Sequence, residues 1–156
     1  MWKPLLCMES ITFGQSRDTT WAMSEANVEI VAQGYAQFSA TGELVEERTH
    51  PDFVWDMSTF SGWPERKTYE GTDGTREFLA SWTEPWDDWE VEVEELVDAG
   101  TDQVLAVLRQ HGCSKSTGLE VDMHFAQLWT MRDGQYIRMR MYADPAEARR
   151  AAGLSE

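Results

Sequence analysis

The amino-acid sequence predicts an α+β fold in which helices come first and an antiparallel sheet follows. In the first half, apolar residues of the longer segments recur every three or four positions, which is the spacing of amphipathic helices. From residue 86 onward, apolar and polar residues alternate in four segments that turn residues separate. Helices gathered before strands favour three helices packed on one face of a curved antiparallel sheet.

Composition and charge narrow the class of protein. The 156 residues suffice for one domain with a hydrophobic core, and 42% of them are hydrophobic, including eight Trp and eight Met. The formal net charge of −15 makes nucleic acid and anionic membranes poor partners. The two cysteines lie in no paired motif, so we expect no disulfide framework and a cytoplasmic location by default. No apolar run reaches the ~18 residues of a membrane span.

Residues 1–22 differ in character from the rest of the chain. They hold a short apolar patch without the features of a signal peptide, and Met23 reads like a natural start. We therefore expect residues 1–22 to be a poorly ordered or peripheral extension, and residues 23–156 to form a single domain.

The helical half begins at Ser24, a plausible N-cap. Apolar residues at helical spacing then predict a first helix to about residue 40, with Tyr35 on its apolar stripe. The later segments of this half are a short helix over 43–48, a strand over 53–57, a loop over 59–69 and a third helix capped by Asp73 and stopped by Pro85.

The strand half is a predicted meander. Its four strands cover residues 86–98, 103–112, 119–131 and 135–143. A short C-terminal helix over 145–152 follows, with Gly153 as its terminator.

The last hairpin turns at Asp133 and Gly134. A two-residue turn would place Trp129 opposite Arg138 and mix apolar with charged side chains. A three-residue turn with Gly134 in the left-handed conformation keeps the apolar faces together, so we predict that register. The inward pairs are then Gln127 with Met139, Phe125 with Met141, and Trp129 with Ile137. The opposite face fits either a homodimer interface or a solvated surface, and it carries His124, Ala126, Leu128, Arg138, Arg140 and Tyr142.

Three polar residues are candidates for function. Gln127 is the one polar residue on the apolar side of its strand, and burying an unpaired amide costs about 1–3 kcal/mol, so it needs a partner or a ligand. Asp56 lies on the predicted buried strand, where desolvation would raise its pKa and suit a general base; alternatively it caps a turn or pairs with an arginine. Tyr35 could donate a hydrogen bond to a ligand carbonyl or belong to the core.

Large apolar side chains around these residues suit a core and also a ligand cavity. Arg109 could bind an anionic ligand or hold Asp56 charged, although a place at the rim suits it better. No His, Asp or Glu cluster has metal-ligand spacing and no glycine-rich phosphate loop occurs, so we expect neither a metal nor another cofactor. The expected ligand-binding residues are Gln127, Trp129, Phe125, Met139, Met141, Trp55, Trp89 and Arg109.

Three segments carry a resemblance to a known family: DFVWDMS (52–58), GTDGTREFLASW (71–82) and FAQLWTMRDGQYIRMRMYAD (125–144). With them the chain resembles the SnoaL-like branch of the nuclear-transport-factor-2-like superfamily. The resemblance implies a cone-shaped α+β fold with a deep pocket between the helices and the concave face of the sheet. It does not imply one reaction, because members include polyketide cyclases, ketosteroid isomerase, epoxide hydrolases and proteins of unknown activity.

Compared with ketosteroid isomerase, the resemblance places Tyr35 at the oxyanion-donating tyrosine and Asp56 at the general base. Gln127 stands where that enzyme has a protonated aspartate, and an amide can donate a hydrogen bond but cannot titrate.

The resulting hypothesis is a pocket protein for a small apolar ligand with a carbonyl or hydroxyl group. As an enzyme it would be a cofactor-independent isomerase or cyclase with Asp56 as base. The alternatives are a non-catalytic binding module and an accessory protein that dimerises.

Overall fold

Regular structure occupies most of the described chain. The computed structural model describes residues 19–65, 67–100 and 102–154. Its α-helices α1, α2 and α3 are Thr19–Thr41, Gly71–Thr83 and Pro145–Ala151, and a 3-10 helix is Glu46–Arg48. Strands β1 to β6 are Thr49–Asp56, Thr68–Glu70, Trp86–Asp98, Gln103–Ser114, Glu120–Arg132 and Gln135–Tyr142.

The six strands form one curved, open sheet in the order β2-β1-β6-β5-β4-β3. Strands β3 to β6 are the predicted antiparallel meander, and each strand agrees with its predicted bounds to within two residues. The prediction of a wholly antiparallel sheet is wrong for one pair, because β1 lies parallel to β6. Hairpins connect β3 to β6, and a hairpin makes neighbouring strands antiparallel. Strand β1 is separated from β6 by α2 and the meander, so the long connection allows a parallel pair.

The sheet has an inner face, which α1 and α2 cover, and an outer face, which α3 covers. Side chains alternate between the two faces along each strand, so the inner residues of β5 are the large apolar ones that the sequence pattern singled out. Their removal from water is the main source of stability. The inner core includes Val31 of α1, Phe78 and Trp82 of α2, and Phe53, Trp55, Phe125, Trp129, Met139 and Met141 of the strands.

The predicted helices need three corrections. α1 begins at Thr19, ahead of the predicted cap Ser24. The second predicted helix, over 43–48, is reduced to the 3-10 helix, so only two α-helices among the described residues precede the meander. α2 begins at Gly71 with Glu70 at its N-cap, so Asp73 lies in the first turn and is not the predicted cap. Outside the helices, the predicted loop over 59–69 contains the start of β2. No described helix is both long and apolar enough to cross a bilayer.

The expected N-terminal extension, residues 1–22, falls outside the described residues as far as residue 18. Its assignment as a segment separate from the domain stays a prediction.

The C-terminal helix α3 lies where the sequence predicted it, to within one residue. The Asp144 side chain accepts a hydrogen bond from the Ala146 N–H at 2.9 Å, and Pro145 occupies the first turn. Gly153 follows the helix with φ of 79°, the left-handed conformation that glycine adopts without strain. The helix packs on the outer face, where its Ala148 joins Leu105 and Leu128 in a small buried cluster.

The register of the last hairpin was predicted wrongly. Asp133 and Gly134 form a two-residue turn, both with positive φ (53° and 77°), which matches the twist of hairpin strands. The ladder then shifts by one residue, because Thr130 pairs with Arg138 while Met131 pairs with Tyr136. This β-bulge at Ile137 keeps the apolar faces together with the shorter turn. The observed pairs are Gln127 with Met141 and Trp129 with Met139.

Part of the proposed dimer surface is occupied within the chain itself. Ala126, Leu128 and Tyr142 of the outer face are buried in the cluster that α3 completes. Further along the same face, charged side chains pair with each other: Arg109 with Asp122, His111 with Glu90, and His124 with Glu94. These residues therefore offer no apolar surface for a partner subunit, and the homodimer stays a prediction.

Asp56 joins β1 to β6 on the outer face. One of its carboxylate oxygens accepts the Ser58 N–H at 2.8 Å, and the other lies 2.5 Å from an Arg138 guanidinium nitrogen. Burial alone would raise the pKa of Asp56, but the hydrogen bonds from Ser58 and the contact with Arg138 outweigh it and lower the pKa below its ordinary value. The expectation of a raised pKa is therefore wrong, and the alternative of an arginine partner is correct.

Helix α1 meets β6 closely at Gly34. The Tyr136 hydroxyl donates a hydrogen bond to the Ile30 carbonyl at 3.0 Å, and this places the phenol against the helix backbone. A Cβ atom on Gly34 would overlap that hydroxyl. Glycine is thus used here for space, at a cost of about 1 kcal/mol in helix propensity.

We predict that Gly34→Ala destabilises the protein by roughly 1–3 kcal/mol, the usual cost of overpacking. In a Tyr136→Phe background the closest contact is removed and a Cβ would lie 3.3 Å from the ring Cζ, so the same change should cost at least ~1 kcal/mol less than in the wild-type background. Urea unfolding of the four proteins measures the free energies. Equal losses in both backgrounds would contradict the close contact.

We predict that Asp56→Asn lowers the free energy of unfolding at pH 7 by about 1–2 kcal/mol, since it retains the acceptor for Ser58 but loses the charged partner of Arg138. A depressed carboxyl pKa stabilises the fold above the unfolded-state pKa of about 3.9 and ceases to do so as pH falls through the folded-state pKa. The difference from wild type should therefore shrink below about pH 4. Asp122→Asn, in an exposed pair, is the control and should cost under about 1 kcal/mol.

Candidate functional site

A small cavity lies between helices α1 and α2 and the inner face of the sheet. Its volume is about 50 Å³, and its wall is almost wholly apolar. Since one water needs roughly 10–15 Å³, the cavity has room for a few waters, and a larger ligand requires wall side chains to move. Seven of the residues predicted as a site line it: Tyr35, Trp55, Trp89, Phe125, Gln127, Trp129 and Met141.

Three of the predicted site residues do not line the cavity. Met139 is fully buried in the same core but not at the wall. Asp56 is on the outer face with Arg138, because it alternates with the inward Trp55 along β1. Arg109 also points outward and binds Asp122 with two hydrogen bonds, of 2.8 and 2.6 Å. Neither charged residue is placed to touch a ligand in this cavity, so Asp56 is not positioned as its general base.

A directed chain of hydrogen bonds crosses the cavity wall. The Trp129 indole N–H donates to the Tyr35 hydroxyl oxygen at 2.8 Å, and the Tyr35 O–H donates to the Gln127 carbonyl oxygen at 2.5 Å. An indole can only donate, so the tyrosine oxygen must accept from it and the tyrosine proton must go to the amide. The amide orientation of Gln127 follows from this chain, which leaves its NH₂ group as the free end.

The Tyr35 hydroxyl is bound within the wall, so its donation of a hydrogen bond to a ligand stays a prediction. Its proton is already bound to Gln127, and burial raises its pKa far above the ordinary value, against a smaller opposing effect of the Trp129 hydrogen bond. The residue stays neutral and serves to orient the amide.

Two hydrogen-bond donors at the cavity lack a good acceptor. The Gln127 NH₂ group has a contact with the Met141 sulfur at 3.5 Å, and a thioether is a weak acceptor. The Trp55 indole N–H is buried without any partner, the one such side-chain nitrogen or oxygen among the described residues. A buried unpaired donor costs about 1–3 kcal/mol. Both residues line the cavity, and neither donor has a good acceptor within the described part of the protein.

A second amide holds two further side chains of the wall, Trp82 and Trp89. The carbonyl oxygen of Gln110 accepts the indole N–H groups of Trp82 and Trp89, at 2.8 and 2.9 Å, and its NH₂ group contacts the Met123 sulfur at 3.4 Å. Sequence reasoning missed Gln110. The signal was present, because Gln110 continues the inward series of β4 after Leu108, as Gln127 does on β5.

Sequence reasoning also missed Tyr136, which lines the cavity beside Trp129 with ring centroids 4.9 Å apart. The bulge at Ile137 turns Tyr136 inward, whereas the predicted register, with its bulge at Gly134, had Ile137 there. Burial raises the pKa of Tyr136 to about 12, with Arg48 opposing the shift.

The described residues of the cavity wall contain no carboxylate, imidazole, amine, guanidinium or thiol. Their titratable groups are the phenols of Tyr35 and Tyr136, both with raised pKa values. Neither can accept a proton at neutral pH. Elsewhere in the described part of the chain, no three His, Cys, Asp or Glu residues are grouped to hold a metal ion.

Solved structures with this architecture are numerous and share limited identity with the chain. An NTF2-like protein from Burkholderia thailandensis E264 is 26% identical, with a TM-score of 0.65, over 80% of this chain and 95% of that chain. A candidate SnoaL-like polyketide cyclase from Jannaschia sp. CCS1 is 24% identical, with a TM-score of 0.65, over 92% and 100%. TerC, which was co-crystallised with polyporic acid, is 24% identical, with a TM-score of 0.64, over 82% and 98%.

No curated protein matches the chain significantly. The SnoaL-like domain matches residues 28–139, which include α2, most of α1 and β6, and all of β1 to β5. The chain therefore belongs to the SnoaL-like domain family.

Proposed function

We propose that the protein binds a small, neutral, largely apolar molecule that carries a carbonyl or hydroxyl oxygen. The unpartnered Trp55 indole N–H at the cavity carries this proposal. The Gln127 NH₂ group supports it, since the hydrogen-bond chain from Trp129 and Tyr35 leaves this donor with only a thioether. An oxygen acceptor in the cavity would replace an unmet donor and a weak contact with ordinary hydrogen bonds.

Binding is favoured over the isomerase or cyclase chemistry considered from the sequence. That chemistry needs a proton acceptor at the ligand, and the expected one, Asp56, lies on the outer face in a pair with Arg138. The described wall offers donors and apolar contacts instead, as is usual in sites that recognise a ligand by shape and a few polar groups.

The proposal predicts that the cavity distinguishes cyclopentanone from methylenecyclopentane, which has the same shape but no acceptor. Trp55→Phe and Gln127→Met should each lower the ratio of the two affinities, ketone over alkene, by about fivefold, since one hydrogen bond is worth ~1 kcal/mol. Ligand-observed NMR titration gives both dissociation constants.

Trp89→Phe is the matched control. Like Trp55→Phe, it replaces an indole of the cavity wall with a phenyl ring. The N–H that it removes, however, is already bound to Gln110. The affinity ratio should not change in this variant. A ratio that falls equally in Trp55→Phe and Trp89→Phe, or in neither, would overturn the proposal.

A further inference from the structure

A groove on the surface continues the cavity outward. It lies between the C-terminal end of α1 and strand β3 and has a volume of about 380 Å³. Four residues line both spaces: Tyr35, Phe38, Trp89 and Val91. Val93 lines the groove but not the cavity, and Leu44 lines the cavity but not the groove.

Aromatic side chains separate the two spaces. The rings of Phe38 and Trp89 meet edge to face, with centroids 6.2 Å apart and an angle of 86°. Trp89 is tied to Gln110 by its indole N–H, and Tyr35 is tied to Trp129 and Gln127 by its hydroxyl. Phe38 has only apolar contacts to hold its ring. Of the three aromatic residues at this boundary, Phe38 is the one whose side chain can turn without breaking a hydrogen bond.

The position of Phe38 in the chain adds to this freedom. It lies in the last turn of α1, where its carbonyl accepts the Gly42 N–H at 2.6 Å, and its side chain is half-buried. Helix ends open more easily than helix centres. Rotation of Phe38 would join the 50 Å³ cavity to the 380 Å³ groove.

We propose that the ligand is elongated, with its oxygen-bearing head in the cavity and an uncharged alkyl tail in the groove, and that Phe38 is the gate that admits it and selects for the tail. This inference rests on the proposed function, because Gln127 and Trp55 would hold the head. Val91 and Val93 give the tail an apolar floor. Among the described residues of the groove wall, Glu90 is the one charged residue, and it is paired with His111 at 3.2 Å. Together with the net charge of −15, Glu90 disfavours an anionic tail.

The homologous methyl ketones from 2-butanone to 2-decanone test the inference. Wild-type affinity should rise about fourfold for each methylene that reaches the groove, the usual gain for burying one such group. Val93→Thr, which keeps the shape of the side chain and adds a hydroxyl to the groove, should weaken 2-decanone about fivefold and leave 2-butanone unchanged. Tryptophan fluorescence or NMR titration gives the dissociation constants.

Association rates test the gate. Stopped-flow fluorescence with 2-octanone should show association at least tenfold faster in Phe38→Ala than in wild type. Leu96→Ala, a similar truncation on β3 at a residue that lines neither the cavity nor the groove, is the control and should leave this rate unchanged.

The outcomes separate the two proposals. If affinity does not rise with chain length and Val93→Thr does not change it, the proposal of an elongated ligand is overturned. The proposed function would still stand if cyclopentanone binds in a way that depends on Gln127. Equal association rates in wild type and Phe38→Ala overturn the gate. If neither 2-butanone nor any longer ketone binds wild type, both the proposed function and this inference fail.

Discussion

The hydrogen-bond chain from Trp129 through Tyr35 to Gln127 determines which polar group the cavity wall presents. Its direction is fixed at one end by an indole, which can only donate, and so an NH₂ group stands at the other end. A polar chain of this kind stabilises the fold only if each member has a partner. Here the last donor reaches only the Met141 sulfur. The apolar wall therefore holds two donors that lack a good acceptor, this NH₂ group and the Trp55 indole N–H.

The meander and the inward series of β5 could be predicted because alternation repeats over long strands with clear turns between them. The register of the last hairpin could not, because a two-residue turn with a bulge and a three-residue turn both keep apolar residues on one side. The sequence pattern gave no sign of the bulge at Ile137, so the inward position of Tyr136 could not be predicted either. β2 was missed because its three residues are too few to show a period.

In the candidate site, too, some residues could be predicted from the sequence and others could not. Gln127 could be found, since an amide in an apolar series needs a partner wherever it lies. Asp56 could not be placed, because strand alternation puts it opposite Trp55 and the sequence does not say which of the two faces inward. The parallel pairing of β1 with β6 decides this, since it sets Asp56 beside Arg140 in the register and near Arg138. The hydrogen bonds from Ser58 and the contact with Arg138 together lower the pKa of Asp56 below its ordinary value.

Sequence similarity to SnoaL-like proteins defines the fold and leaves the chemistry to individual side chains. A carboxyl group at the position of Gln127 could exchange a proton with a ligand, whereas an amide holds its protons at every accessible pH. With Asp56 on the other face, the described wall combines fixed donors with neutral phenols. Such a surface can orient an oxygen atom but gives it no proton acceptor at neutral pH. The amide therefore supports the proposal that this cavity recognises a ligand rather than converting it.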